Sequence, residues 1–201
     1  MKYLKLVLSL LCILAITGCN TPYLVQPTGE SLTKPNAPAS YSYKSTSISV
    51  IGSKQPYLGL APPTTMRDTP VHFWPLDFVN YRMSELTQSH DSRVIGALCN
   101  AQLYVSSVDY YNLTGGQKGS HYVGVGFNAL LSLRSSTQKL LLELDISSDT
   151  LRGEMLLMSW EFRPSVLGEQ FRMELVNVST RAAKVLVDKV LETIDSVEQC
   201  R

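Results

Sequence analysis

The chain has 201 residues, enough for one modest domain and too few for two large ones. Hydrophobic residues are 44% and charged residues 17%, which excludes wholesale disorder. Lys+Arg 18 against Asp+Glu 17 gives a formal net charge of +1, without the basic excess that nucleic-acid binding needs.

Lys2 and Lys5 precede residues 6–16, which are apolar except for Ser9. A short basic segment and a short apolar run make a secretory signal. The run is about 11 residues, against the roughly 20 of a membrane-spanning helix. Ile16, Thr17, Gly18 and Cys19 close it. This pattern resembles the bacterial lipobox. The resemblance implies that Ile16, Thr17 and Gly18 are read by signal peptidase, and that the mature chain begins at Cys19. It further implies a diacylglyceride on the Cys19 thiol and an acyl chain on its amino group. Two or more acyl chains anchor stably where one binds only marginally. Asn20, not Asp, follows the cysteine. Similarity to enteric-type sorting signals then implies the inner leaflet of the outer membrane, facing the periplasm. Loss of Lys2 and Lys5 with the signal takes the formal side-chain charge from +1 to −1. No later stretch is apolar enough to suggest another span.

Residues 19–46 contain Pro22, Pro27, Pro35 and Pro38 among Ser, Thr, Asn and Gly, with no period of 2 or 3.6. They read as a tether of about 30 Å reach. Ser31 and Lys34 match a bare S-x-x-K, but no K-T-G follows and no helix surrounds them. Residues 47–201 are expected to form one domain. Its first strand is 47–51, ended by Gly52, and a proline-rich loop covers 52–73. Pro75 suits the first turn of a helix over 75–89, with Leu76, Val79, Met83 and Leu86 on one face. Trp74, Phe78 and Tyr81 form a second, aromatic side, which is either core or a contact surface for a protein partner.

A strand is predicted over 102–110. Gly115, Gly116 and Gly119 make a turn that does not fit a phosphate-binding loop. Val123, Val125, Phe127, Ala129, Leu131 and Leu133 then alternate with mostly polar or small residues, the clearest strand in the chain. Leu140, Leu142, Leu144 and Ile146 alternate through another. Residues 149–175 are compatible with a strand or a short helix, broken at Pro164 and Gly168. The last helix is expected to begin near Ser179 as its cap, with Ala183, Leu186, Val190, Ile194 and Val197 down one face. The fold class is α+β: an antiparallel sheet with two amphipathic helices on one face, in the order strand, helix, three strands, helix.

The lipobox resemblance implies that Cys12 leaves with the signal and that Cys19 is acylated, which would leave Cys99 and Cys200 in an exported compartment. If the three later strands run up, down and up, the final helix runs down, and its end meets the start of the strand near Cys99. A disulfide there closes a long loop, worth about 4–5 kcal/mol on chain entropy. A further strand within 155–162 reverses that parity and separates the pair. Buried free thiols or a bond to another chain are the alternatives.

His72, His90 and His121 form no metal-ligand spacing, and no G-x-S-x-G elbow occurs. No metal and no catalytic residue is expected. Glu143 and Asp145 lie at i, i+2 on one strand, where a solvated polar face is the default over glycosidase-type carboxylates. The lipobox, the run 102–133 and the helix 179–197 together resemble small outer-membrane lipoproteins of the YajG type. The layout is also similar to the lipopolysaccharide-assembly lipoprotein and to auxiliary lipoproteins of lipid-transport ABC systems. That resemblance implies action by binding. The expectation is a non-enzymatic accessory subunit of an envelope protein complex, with a lipid- or glycan-binding module as the alternative. The membrane, through the lipid anchor, and an envelope protein are the expected partners.

Overall fold

A computed structural model describes residues 23–26, 39–53, 57–60, 70–89, 96–114, 120–147, 158–161 and 167–201. A small sheet has the order β1–β5–β4: β1 (Tyr23–Val25), β4 (Tyr57–Leu60) and β5 (Pro70–Phe73). The main sheet is built on a long hairpin, β7 (Cys99–Thr114) and β8 (Ser120–Ser135). Beyond β7 lie β3 (Thr46–Gly52), β2 (Ala39–Tyr43) and β6 (Gln88–Ser89). On the other side of β8 lie both β9 (Leu140–Ile146) and β10 (Met158–Glu161). Helix α1 (Pro75–Leu86) and helix α2 (Leu167–Ser196) complete the layout.

The α+β class read from the sequence holds. Every pair in the main sheet is antiparallel except β3 and β7, which run parallel. The sheet is therefore mixed, and α1 lies on the chain between the two parallel strands, as a crossover requires. Alternation sets the two faces. Ile48 and Val50 on β3, Ala101, Leu103 and Val105 on β7, and Val125 to Leu133 at every second position of β8 are buried. The helices cover this face with Leu76, Val79 and Met83 from α1, and Leu175, Ala182, Leu186, Val190 and Ile194 from α2. Gly52 sits where β3 ends against β7. A Cβ there would lie 2.6 Å from the Val105 carbonyl oxygen, so only glycine permits this approach.

Several boundaries differ from the sequence reading. Residues 23–25, placed in the tether, form β1 against β5, and the strand expected over 102–110 runs from Cys99 to Thr114. Residues 39–43, placed in the tether, form β2 against β3. Residues 57–60 and 70–73, placed in a loop, pair with each other. Helix α1 ends at Leu86 because Thr87 turns out of it, its hydroxyl donating to the Met83 carbonyl, and the chain then pairs with β2. Helix α2 begins at Leu167, and Ser179 lies buried in its middle, not at its cap. Residues 167–178 contain no proline and are rich in Leu, Glu, Gln, Arg and Met, all good helix formers.

The Cys99–Cys200 disulfide is present, with Cα atoms 5.3 Å apart. Residues 158–161 do form a strand, yet the parity is kept. Strands β9 and β10 share one edge of β8 and both run antiparallel to it. The chain climbs β9 beside the lower half of β8 and continues upward on β10. Helix α2 then descends: 30 residues span about 45 Å, close to the roughly 50 Å of a 16-residue strand. It ends level with Cys99.

A polar clasp sits at the same end. Tyr43 Oη donates to Asp195 Oδ2 at 3.0 Å, Lys44 Nζ donates to Asp195 Oδ1, and Arg201 Nε donates to the Asp195 carbonyl at 2.7 Å. Lys44 holds the turn between β2 and β3 at a φ of 49°, unusual for a residue with a side chain. The Lys44 ammonium, helped by the Tyr43 hydroxyl, holds the Asp195 carboxyl below its ordinary range, and the same contact raises Lys44.

Two outcomes are expected. Replacing both cysteines (Cys99→Ala with Cys200→Ala) should cost about 4–5 kcal/mol, since the bond spans 101 residues; denaturant melts of oxidised, reduced and substituted chain measure it. Asp195 is lowered in the fold, so its contribution is present above the ordinary carboxylate pKa and is lost as pH falls through the lowered value. Lys44 is raised, so its contribution persists below the ordinary lysine pKa and is lost as pH rises past the raised value. The melting gap between the native chain and Asp195→Asn should therefore be small, widest between roughly pH 5 and 10, and diminished by salt.

Candidate functional site

The helices cover one face of the main sheet. Among the described residues the other face has no covering layer, and cross-strand register orders it into rows. Ile51 lies opposite Tyr104, Tyr104 opposite Leu130, and Leu130 opposite Asp145. The neighbouring row is Ser40, Ser49, Gln102, Ser132 and Glu143. The next contains Ser47, Asn100 and Arg134. Tyr104 is 45% exposed, and Ile51 and Leu130 are half-buried. The face thus has a short apolar row at its centre, neutral hydroxyls and amides around it, and charges toward the β9 rim.

A bulge between Val105 and Ser107 marks the upper border of this face. The extra residue lets Ser106 and Ser107 both reach Asn128. Ser106 Oγ donates to the Asn128 carbonyl at 2.9 Å, and Asn128 Nδ2 donates to Ser107 Oγ and to Asp109 Oδ2, each at 2.9 Å. Asn128 is thereby held flat against the sheet. Near the rim Ser132 Oγ donates to Glu143 Oε2 at 3.3 Å. Beside the bulge an open recess of about 280 Å³ is lined by Tyr57, Pro75, Leu76, Val105 and Val108 with Ser53, Ser106 and Ser107. Burial, and then the nearby Asp109 carboxylate, raises the Tyr57 phenol above its ordinary pKa.

The aromatic trio expected on the first helix divides. Phe78 is 1% exposed and belongs to the core, while Trp74 and Tyr81 are half-buried. The α1 stripe that faces the sheet and α2 is wide enough to take Phe78 along with Leu76, Val79 and Met83, so the three do not form one open contact surface. Glu85 raises the Tyr81 phenol from the next turn. Behind α1, Tyr41 Oη donates to the Asn80 carbonyl at 3.0 Å, and burial raises its pKa strongly. Glu143 and Asp145 do share one exposed face, as alternation requires. Ile16, Thr17, Gly18, Cys19 and the Ser31–Lys34 pair lie outside the described residues, as does His90. His72 is half-buried on β5. Among the described residues no three metal-capable side chains come together, and no helix is long and apolar enough to cross a membrane.

The signal that marks Tyr104 as an outward residue is its alternation with Leu103 and Val105. What the alternation did not show is that Ile51 and Leu130, from strands far apart in the chain, stand beside it. No protein-family model and no curated protein matches the chain.

A paired substitution separates core from surface. Phe78→Ser should destabilise by about 3–5 kcal/mol, by loss of a buried ring and burial of a hydroxyl. Tyr104→Ser should stay within about 1 kcal/mol. Chemical denaturation of the two variants measures both.

Proposed function

We propose that the chain is a lipid-anchored envelope lipoprotein whose domain acts by binding, as a non-catalytic accessory subunit of an envelope protein complex. The lipobox pattern at Ile16–Cys19 supports the anchor. A disulfide that ties the last helix to the sheet suits an exported protein. The observation that carries the binding role is the sheet face that no described residue covers. An aromatic and two aliphatic side chains at the centre, neutral polar groups around them and charges at the margin match the anatomy of a protein–protein interface. Strand β1 begins at Tyr23 and pairs with β5, so three residues separate Cys19 from the first strand, a reach of roughly 14 Å at full extension. Confinement so near a membrane raises the effective concentration toward a membrane-bound partner, and a modest contact suffices.

One observation favours a second reading. An exposed tyrosine among Ser49, Gln102, Ser132 and Asn128 offers a ring to stack on and many neutral hydrogen-bonding groups, which suits an envelope glycan. The recess beside the bulge, about 280 Å³, is too small for a diacyl lipid.

Purification of the native chain from a mild-detergent membrane extract tests both. Cys19→Ser should leave the chain unacylated and move it from the membrane to the soluble fraction. Replacing Tyr104 and Leu130 together by Ser should cut the co-purifying envelope protein about tenfold or more while the melting curve stays near native. A partner retained unchanged by that pair overturns the assignment of the surface. A glycan retained in place of any protein moves the conclusion to the second reading.

A further inference from the structure

The two edges of the main sheet are finished differently. On one side β2 is capped by the two-residue β6, and Tyr41 ties it to α1 through Asn80. Short edge strands and covering elements are how proteins blunt an edge. On the other side β9 pairs with β8 and, among the described residues, has no second neighbour. Its register slips opposite Leu133 and Arg134, so a regular run extends over 142–146. Within that run Leu142 and Leu144 point to the helix side and are half-buried, at the margin of the core. Glu143 and Asp145 point to the uncovered face and are exposed. Neither proline nor lysine interrupts the run.

The charges decide what such an edge can accept. Antiparallel pairing with a second copy, centred on Glu143, sets that residue against its own counterpart. Centred on Leu144, it sets Glu143 against Asp145 twice. Like charges directly opposite one another destabilise a strand pair. A strand with Lys or Arg at alternate positions meets the two carboxylates instead, and its intervening apolar residues extend the cover over Leu142 and Leu144. We propose that β9 is a docking edge for an extended protein segment in which apolar residues alternate with basic ones, added as a further strand of the sheet. Main-chain hydrogen bonds supply the attachment, and the alternation supplies the selectivity. This rests on the reading that the domain acts by binding, but it requires neither the lipid anchor nor the Tyr104 surface.

The test uses the full chain in a non-ionic detergent and three labelled ten-residue peptides: alternating Val and Lys, alternating Val and Glu, and the Val/Lys peptide with every second backbone amide N-methylated. Fluorescence anisotropy should show saturable binding of the Val/Lys peptide, about tenfold tighter than either of the others, since two exposed ion pairs and the strand hydrogen bonds are at stake. The variant Glu143→Lys with Asp145→Lys should keep a native circular dichroism spectrum and melting curve, and should reverse the preference toward the Val/Glu peptide. Tyr104→Ser should leave peptide binding unchanged, which separates this edge from the face tested above. Equal binding of the N-methylated peptide overturns the proposal, because attraction without strand pairing then accounts for it. So does an unchanged preference in the double variant. Concentration-dependent self-association of the native chain, abolished by blocking β9, also overturns it and makes a second copy the occupant.

Discussion

The packing of one long helix along one long strand is the contact on which the rest of this structure depends. Strand β8 carries Val125, Phe127, Ala129, Leu131 and Leu133 on a single face, all almost fully buried. Helix α2 runs antiparallel to β9 and β10 over that face, and small residues at Ser179, Ala182 and Ala183 are buried at mid-length. Without α2 the central strand would expose its whole apolar row. The disulfide at Cys99 and the clasp around Asp195 act on the far end of the same helix, and so hold its register along the sheet. The ion pair in that clasp is exposed and contributes little by itself. The covalent bond and the buried row carry the stability.

Among the described residues a two-layer arrangement leaves the second face of the sheet without a covering layer. That face is not a plain solvated surface. Its centre is apolar, its surroundings are neutral, and its acidic residues are confined to the rim and to Asp109. The bulge at Val105 and Ser107 and the hydrogen bonds of Asn128 hold its upper border rigid. Among the described residues the two edges also differ, β2 being capped by β6 and β9 having no second neighbour. These are surfaces that the core does not use, so the residues on them can change without threatening the fold. Phe78 illustrates the opposite case. Trp74 just before the helix and Tyr81 within it are half-buried, but Phe78 is held by the core.

Periodicity was enough to locate β3, β8, β9 and α1, the last overrun by three residues, because each buries one face and exposes the other. It placed the β7 strand correctly but too short, since Asn112 and Thr114 at its upper end weaken the pattern. It missed β1, β2, β4, β5 and β6. These are short strands, all but β6 in proline-rich stretches, and their pairing partners rather than their own composition make them strands. It also started α2 twelve residues late. Ser179 resembles a helix cap, and only its burial against the sheet shows that the helix continues through it.

The sequence by itself determined the class of fold and the faces of β8 and β9. Local rules suffice there, because a side chain's alternation or spacing depends only on its near neighbours. The tertiary structure decided the parallel pairing of β3 with β7, and the sharing of one β8 edge by β9 and β10. It also decided the assembly of Ile51, Tyr104 and Leu130 into one row. Each of these depends on which strands lie side by side, and that is set by the total burial of the sheet against α1 and α2. The cysteine pair shows the difference most plainly. An added strand should have separated the two residues, and only its placement, beyond β9 and in the same direction, brought them together.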